Sequence, residues 1–409
     1  MANTRLDLAT LKSIPRSIWA LGLVSMFMDV SSEMIHALLP IYLVTVLGTS
    51  ALTVGFVEGI AEAVAAITKV FSGAVSDWLG KRKLLAVIGY GLAAFTKPVF
   101  PLASSVGWLV AARFIDRIGK GIRGAPRDAL VADLAPVHLR AASFGLRQSL
   151  DTIGAFVGPL LAIGLMLATA NSFKTVFWIA VIPGFVAFAL IAFAVKEPGR
   201  AKTLRKVRFP LQRLEIGRLP AAFWLVVGVA AVFTLARFSE AFLLLKAQAI
   251  GLPVALVPGV LVLMNFVYAL AAYPAGVVAD GAGGRNRILV FGLALLFIAD
   301  IVLAFATNVW MSGLGVALWG LHMGFTQGIL ATLVADASPP ELRGTAFGVF
   351  NLVSGVALLA ASVLAGALWD TVGPQATFLA GAGFAAVSLV GFLFILRSSN
   401  PRKKLHDPL

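Results

Sequence analysis

The chain reads as long, uninterrupted apolar runs separated by short polar breaks. A helix needs about 20 apolar residues to cross the hydrocarbon core of a bilayer, and twelve runs approach or exceed that length. They fall at 18–43, 53–75, 84–103, 107–128, 141–168 and 175–195, then at 221–246, 258–279, 288–306, 309–333, 344–367 and 373–396. One polar, basic stretch, 196–220, divides them into two groups of six. The expected domains are an N-terminal half, 1–195, and a C-terminal half with a short tail, 221–409. The runs are continuous rather than alternating in period two, which predicts helices and argues against a transmembrane β-barrel. The expected fold class is an all-α membrane protein of twelve transmembrane helices. The first run follows basic residues, as a signal peptide would, but it is too long for one and is read as retained.

Composition sharpens this picture. Of 409 residues, 59% are hydrophobic and 13% charged, with a mean hydropathy of +0.94. Soluble domains carry roughly 25% charged residues. The absence of cysteine excludes thiol catalysis, cysteine-ligated zinc and iron–sulfur clusters. No phosphate-binding loop or hydrolytic triad is present, so the expected protein is not an enzyme and needs no cofactor.

The formal charge of +14, from 33 Lys and Arg against 19 Asp and Glu, acquires a location once the runs are drawn. Alternate connections hold most of the basic residues, including Lys81, Arg82 and Lys83, then Lys120, Arg123, Arg127 and Arg140, then the Lys196–Arg218 stretch. The opposite connections clearly hold only Lys174. The positive-inside rule places both termini and the central loop in the cytoplasm of a bacterial or archaeal inner membrane. The excess sets topology; no folded basic domain or aromatic-studded patch suggests a nucleic-acid partner.

The halves repeat at an offset of 203 residues. Leu130-Val131-Ala132-Asp133 recurs as Leu333-Val334-Ala335-Asp336, and Leu139-Arg140 as Leu342-Arg343. Gly73, Asp77, Gly80 and Arg82 recur as Gly276, Asp280, Gly283 and Arg285. Parallel six-helix repeats characterise many secondary transporters, with substrate handled near the midplane.

Three motifs carry a resemblance to the major facilitator superfamily. Gly73-Ala74-Val75-Ser76-Asp77-Trp78-Leu79-Gly80-Lys81-Arg82 resembles its cytoplasmic signature, with Trp78 where a basic residue is common. Gly73 permits close helix approach, Asp77 can cap or pair, and Gly80 permits a tight turn. Asp116-Arg117, followed by Lys120-Gly121 and Gly124-Ala125, resembles a second motif, whose arginine the family associates with proton coupling. Gly145, Gly154 and Gly158-Pro159 resemble the antiporter motif of exporters, although the family's terminal glycine pair is replaced by Ala162-Ile163. Small residues at such spacing make a smooth face for packing, and the proline bends the helix. At offset 203, Asp116, Arg117 and Lys120 become Trp319, Gly320 and Met323, and Gly154 and Gly158 become Ala357 and Ala361, so both motifs belong to the first half. The resemblance extends to a widespread prokaryotic branch whose substrates are mostly unassigned.

Charges inside the runs are costly and are candidates for function. Asp29 and Glu33 lie four apart, on one helix face, and with Arg117 and Asp116 they are the candidates for proton coupling. Glu58, Glu62, Lys97, Arg147, Asp151, Arg237, Glu240 and Asp300 are candidates for the substrate cavity. Internal pairing is the simpler expectation for several: Glu62 with Lys69 or Lys97, Arg147 with Asp151, Arg237 with Glu240. Asp29, Glu33 and His36 form a weaker candidate for a divalent cation. The leading expectation is a monomeric, proton-driven antiporter in the lipid bilayer, exporting a small organic solute or drug. Alternatives are symport of an organic anion on Lys97, Arg147 and Arg237, divalent-metal export, and a receptor that borrows the fold.

Overall fold

The computed structural model describes residues 13–196, 216–279, 284–339 and 342–398. The described residues are helical, with no strand among them. Among the described residues twelve helices fall at the expected spans: α1 Arg16–His36, α2 Ala51–Leu79, α3 Arg82–Thr96, α4 Val106–Leu134, α5 Arg140–Ala168 and α6 Phe173–Ala189. The second set is α7 Ala221–Ala236, α8 Gly259–Ala279, α9 Gly284–Phe305, α10 Val309–Asp336, α11 Arg343–Thr371 and α12 Pro374–Ser398. A bilayer offers no partner for a free backbone amide, so each span closes its own hydrogen bonds as a helix.

Among the described residues ten spans are apolar enough to cross a membrane by length and composition; α4 and α10 are not among them. For α4 the reason is its charge: Arg113, Asp116, Arg117, Lys120, Arg123, Arg127 and Asp128 all lie on it. At 29 residues it extends about 43 Å, long enough to span.

Three spans expected as continuous are broken. The first stops at His36 and resumes as Leu39–Thr45, with Pro40 in the new first turn. The third is interrupted at Lys97-Pro98 before Val99–Leu102. The seventh breaks over residues 237–240 and resumes as Ala241–Ala249. Hydropathy averages over such breaks because the apolar run continues through them.

The chain forms two compact units. The first comprises Met1–Thr49, Ile60–Pro210 and Pro253–Val262, of which 1–12 and 197–210 lie outside the described residues. In it α1 packs on α5 and α6, and α3 on α4. Gly89 and Gly119 let α3 and α4 meet backbone to backbone: a Cβ on Gly89 would lie 2.7 Å from the Gly119 carbonyl oxygen. Ile18, Leu21, Val24, Met28, Tyr90 and Ile191 are central to one apolar core.

The second unit comprises Ser50–Gly59, Leu211–Leu252 and Leu263–Leu409. Here α9 packs on α10 and α12, and α7 on α11 and α12. The start of α2 belongs to this unit and lies against α11. A Cβ on Gly366 would come within 2.6 Å of the Ala51 carbonyl oxygen. Asp370 accepts hydrogen bonds from the Ala51 and Leu52 amides, at 3.0 and 2.8 Å. A carboxylate there satisfies two orphan N–H groups and opposes the positive end of the helix.

Of the basic 196–220 linker, 197–215 lies outside the described residues, as do Asp280 and Gly283 of the second signature copy; the side chains of Asp77 and Arg285 and the surroundings of Gly276 likewise.

Candidate functional site

The first unit has a charged interior assembled from four helices. Lys97, at the break after α3, is 1% exposed, and Asp116 of α4 is 2% exposed. They form an ion pair at 3.0 Å, and the same ammonium donates to Ser32 Oγ of α1 at 3.0 Å. Gly184 of α6 leaves room beside them: a Cβ there would lie 3.0 Å from Ser31 Oγ and 3.4 Å from Lys97 Cγ. One turn along α4, Arg113 lies 2.7 Å from His36 Nδ1. On the next turn Arg117 pairs with Glu62 of α2 at 3.2 Å. The Arg117 side chain is buried, whereas that of Glu62 is 36% exposed, so this bridge reaches the edge of the buried network.

A second cluster lies further along α4. Arg127 donates to Ser25 Oγ at 3.0 Å and pairs with Asp128 and Asp151. Arg147 pairs with Asp151 at 3.5 Å and with Asp128 at 3.7 Å. Arg123 lies over the Tyr90 ring, 4.9 Å from its centroid. Arg82 of the cytoplasmic signature donates to Asp133 at 2.6 Å and to the Ala129 carbonyl at 2.9 Å, which fastens the α2–α3 turn to the end of α4. Gly80 makes that turn at φ +63°, the left-handed region that glycine enters freely.

Asp29 and Glu33 are partly buried and share the face of α1 that meets α5. A Cβ on Gly154 would lie 2.5 Å from the Met26 carbonyl oxygen and 3.1 Å from Asp29 Cβ. One on Gly158 would lie 2.8 Å from Glu33 Cβ. Two glycines of the antiporter-like motif thus lie directly beneath the two carboxylates. Asp151, Arg123, Lys120 and Glu33 are the charges in electrostatic reach of Asp29. Gly145 takes no part in this seam; it is exposed with open space around it. Pro159 is buried in α5, which continues through it as helix.

Several expected pairings are corrected. Glu62 binds Arg117, not Lys69 or Lys97; Lys69 is exposed, its stem against Gly124. Lys97 takes Asp116 instead. Arg123 and Arg127, read as topology charges, are built into the interior network. Arg147 and Asp151 do meet, and Arg237 and Glu240 are in electrostatic reach, with Arg237 also 5.8 Å from the Phe233 ring centroid. Glu58 and Glu62, one turn apart, belong to different units. His36 turns to Arg113, and among the described residues no three His, Asp or Glu side chains are grouped to hold a metal ion, so Asp29, Glu33 and His36 make no such site.

The second unit is different inside. Asp300 of α9 is fully buried, and neither carboxylate oxygen has a hydrogen-bond partner among the described residues. Phe238 stands at the centre of an aromatic cluster, with ring centroids 5.4 Å from Trp319 and 5.5 Å from Phe378. His322 is also buried, against Trp319 and Phe233. The 203-residue offset relates Asp300 to Lys97 and Trp319 to Asp116, a correspondence legible in the sequence once the repeat is aligned.

A family model described as Major Facilitator Superfamily matches residues 21–265 and 241–408. An uncharacterized MFS-type transporter of Methanocaldococcus jannaschii is 34% identical over 396 residues, covering 94% of this chain and 96% of its own. A class G tetracycline resistance protein of Vibrio anguillarum is 27% identical over 308 residues, covering 69% and 72%. The crystal structure of the nucleoside transporter NupG shares the fold at a TM-score of 0.78 and 13% identity, covering 93% of this chain and 99% of that one. With its repeated helical halves, cytoplasmic signature and charged spans, the chain belongs to the major facilitator superfamily and is an integral membrane transporter.

Proposed function

We propose that the protein is a proton-coupled antiporter that exports a small organic solute by alternating access, with Asp29 and Glu33 as the coupling carboxylates. The observation that carries this reading is the contact of Gly154 and Gly158 with the backbone and Cβ atoms around those two residues. Any side chain at 154 or 158 would push α1 away from α5. The antiporter-like motif and the acidic face of α1 are therefore one mechanical unit. Protonation of a carboxylate on this face removes a charge from a helix locked by close packing. It changes the relative energies of the unit's alternative conformations without breaking that packing. Arg117 and Asp116 are already paired, with Glu62 and Lys97, and their role is to hold α4 to α2 and to the end of α3. Likeness to a tetracycline resistance protein supports export of an organic solute.

In this reading the proton gradient supplies the energy, no cofactor takes part, the transporter works as a monomer, and both termini lie in the cytoplasm of the inner membrane, as the basic connections indicate. Anion symport is less well supported, because Lys97 and Arg147 already have carboxylate partners.

The test uses full-length protein in liposomes, with a solute first found by thermal-shift screening of organic compounds. Collapsing the pH gradient with an ionophore is expected to stop uphill movement of that solute, and Asp29→Asn or Glu33→Gln to uncouple it. Solute movement indifferent to the gradient overturns the reading.

A further inference from the structure

We propose that Asp300 is a proton-binding site of the second unit, carrying an exchangeable proton on its carboxyl group while enclosed as in this structure. This site is separate from the α1 carboxylates and does not depend on their assignment. The argument rests on surroundings. An ionised carboxylate in an apolar interior needs a counter-charge or several donors, or it takes up a proton instead. Asp300 is 0% exposed and has neither among the described residues. Gly381 of α12 and a phenyl ring lie beside it: a Cβ built on Gly381 would lie 2.7 Å from Asp300 Oδ2 and 2.9 Å from a Phe238 ring carbon. Gly381 thus leaves space for the carboxyl without donating to it.

The charged and titratable groups on the elements around it leave it alone. The helix α10 carries His322, one turn beyond Trp319, and Asp336 at its far end; the stretch of α12 from 374 to 394 carries no charge. The seventh span carries Arg237, Glu240 and Lys246, and α9 itself carries Arg285 and Arg287 only at its start. Among the described residues none of these forms an ion pair or hydrogen bond with Asp300. At the repeat-related place in the first unit, Lys97 has Asp116; here Trp319 occupies the partner's position and supplies no charge. A carboxyl retained in such a place can do what the Lys97 pair cannot: take a proton from water when its surroundings open and hold it without a counter-ion when they close.

Infrared spectroscopy of the full-length protein in detergent tests this without any substrate. The wild type at neutral pH is expected to show the carbonyl stretch of a protonated carboxylic acid. That band should be missing from Asp300→Asn, shift on transfer to D2O, and fade as pH is raised. Gly381→Ala, which keeps the acid but crowds it, should move the band, and reports even if Asp300→Asn folds poorly. His322→Gln should leave it in place. A wild-type spectrum without a band assignable to Asp300 means the group is ionised and overturns the proposal. A band that neither exchanges with D2O nor titrates means a sealed structural proton and overturns it equally. Transport is not measured, so this outcome and that of the antiport test are independent.

Discussion

The two units carry the same repeat and resolve their interior charges in opposite ways. In the first, Arg113, Asp116 and Arg117 stand within about one turn of α4, and each of the three meets a partner from another segment: His36, Lys97 and Glu62. In the second, the corresponding helix α10 has Trp319 and Gly320 at the places of Asp116 and Arg117, and Asp300 lies beside Gly381 and the Phe238 ring with no hydrogen-bond partner among the described residues. Since one fold accommodates both, the network of the first unit is not demanded by the fold. It is a specialisation of the half that also bears the antiporter-like motif.

This contrast predicts unequal responses to removing one carboxylate. Asp116→Ala strands the buried Lys97 ammonium and is expected to cost about 3–5 kcal/mol, the usual loss when one member of a buried pair is removed. Lys97→Met with Asp116→Leu should recover most of that. Asp300→Asn removes no partner and should change stability by less than about 1 kcal/mol, within the range of substitutions that leave buried partners intact. Denaturation of the purified protein in detergent measures all three, and equal losses for Asp116→Ala and Asp300→Asn would abolish the distinction.

The motif offers a second, smaller contrast. Gly158→Leu drives a side chain into α1 at Glu33 and should cost about 1–3 kcal/mol by overpacking, with loss of gradient-driven transport. At the repeat-related position, Ala361→Gly should cost no more than about 1 kcal/mol, the helix-propensity difference. Similar transport losses for both would mean that the seam has no special role. A further modest effect is expected at the start of α2. Asp370→Ala removes two cap hydrogen bonds and should lower stability by about 1 kcal/mol. An unchanged melting temperature would remove Asp370 from the contacts that hold α2 to α11.

Local spacing accounts for some of the contacts among these charges and not for others. Asp29 and Glu33 share a face because helical geometry puts residues four apart on one side, and Arg147 reaches Asp151 for the same reason. Glu62 was misassigned because Lys69 and Lys97 are as plausible as Arg117 until the helices are placed. The network role of Arg123 and Arg127 was hidden because a basic residue near a helix end satisfies the positive-inside rule whether it faces lipid headgroups or turns inward. Asp370 lies 319 residues from the amide it caps at Ala51, a separation that no local pattern bridges.

The sequence by itself determined the spans, the repeat, the basic connections and the family. Each of these is written locally, by the length of an apolar run against the thickness of a bilayer or by residues at a fixed spacing. Only the tertiary structure decided which charge meets which, where three spans break, and that Asp300 has no hydrogen-bond partner among the described residues. Those outcomes depend on how each helix is rotated about its axis and which faces close against one another. Packing of the whole unit sets that, through contacts such as Gly89 on Gly119 and Gly154 on Met26.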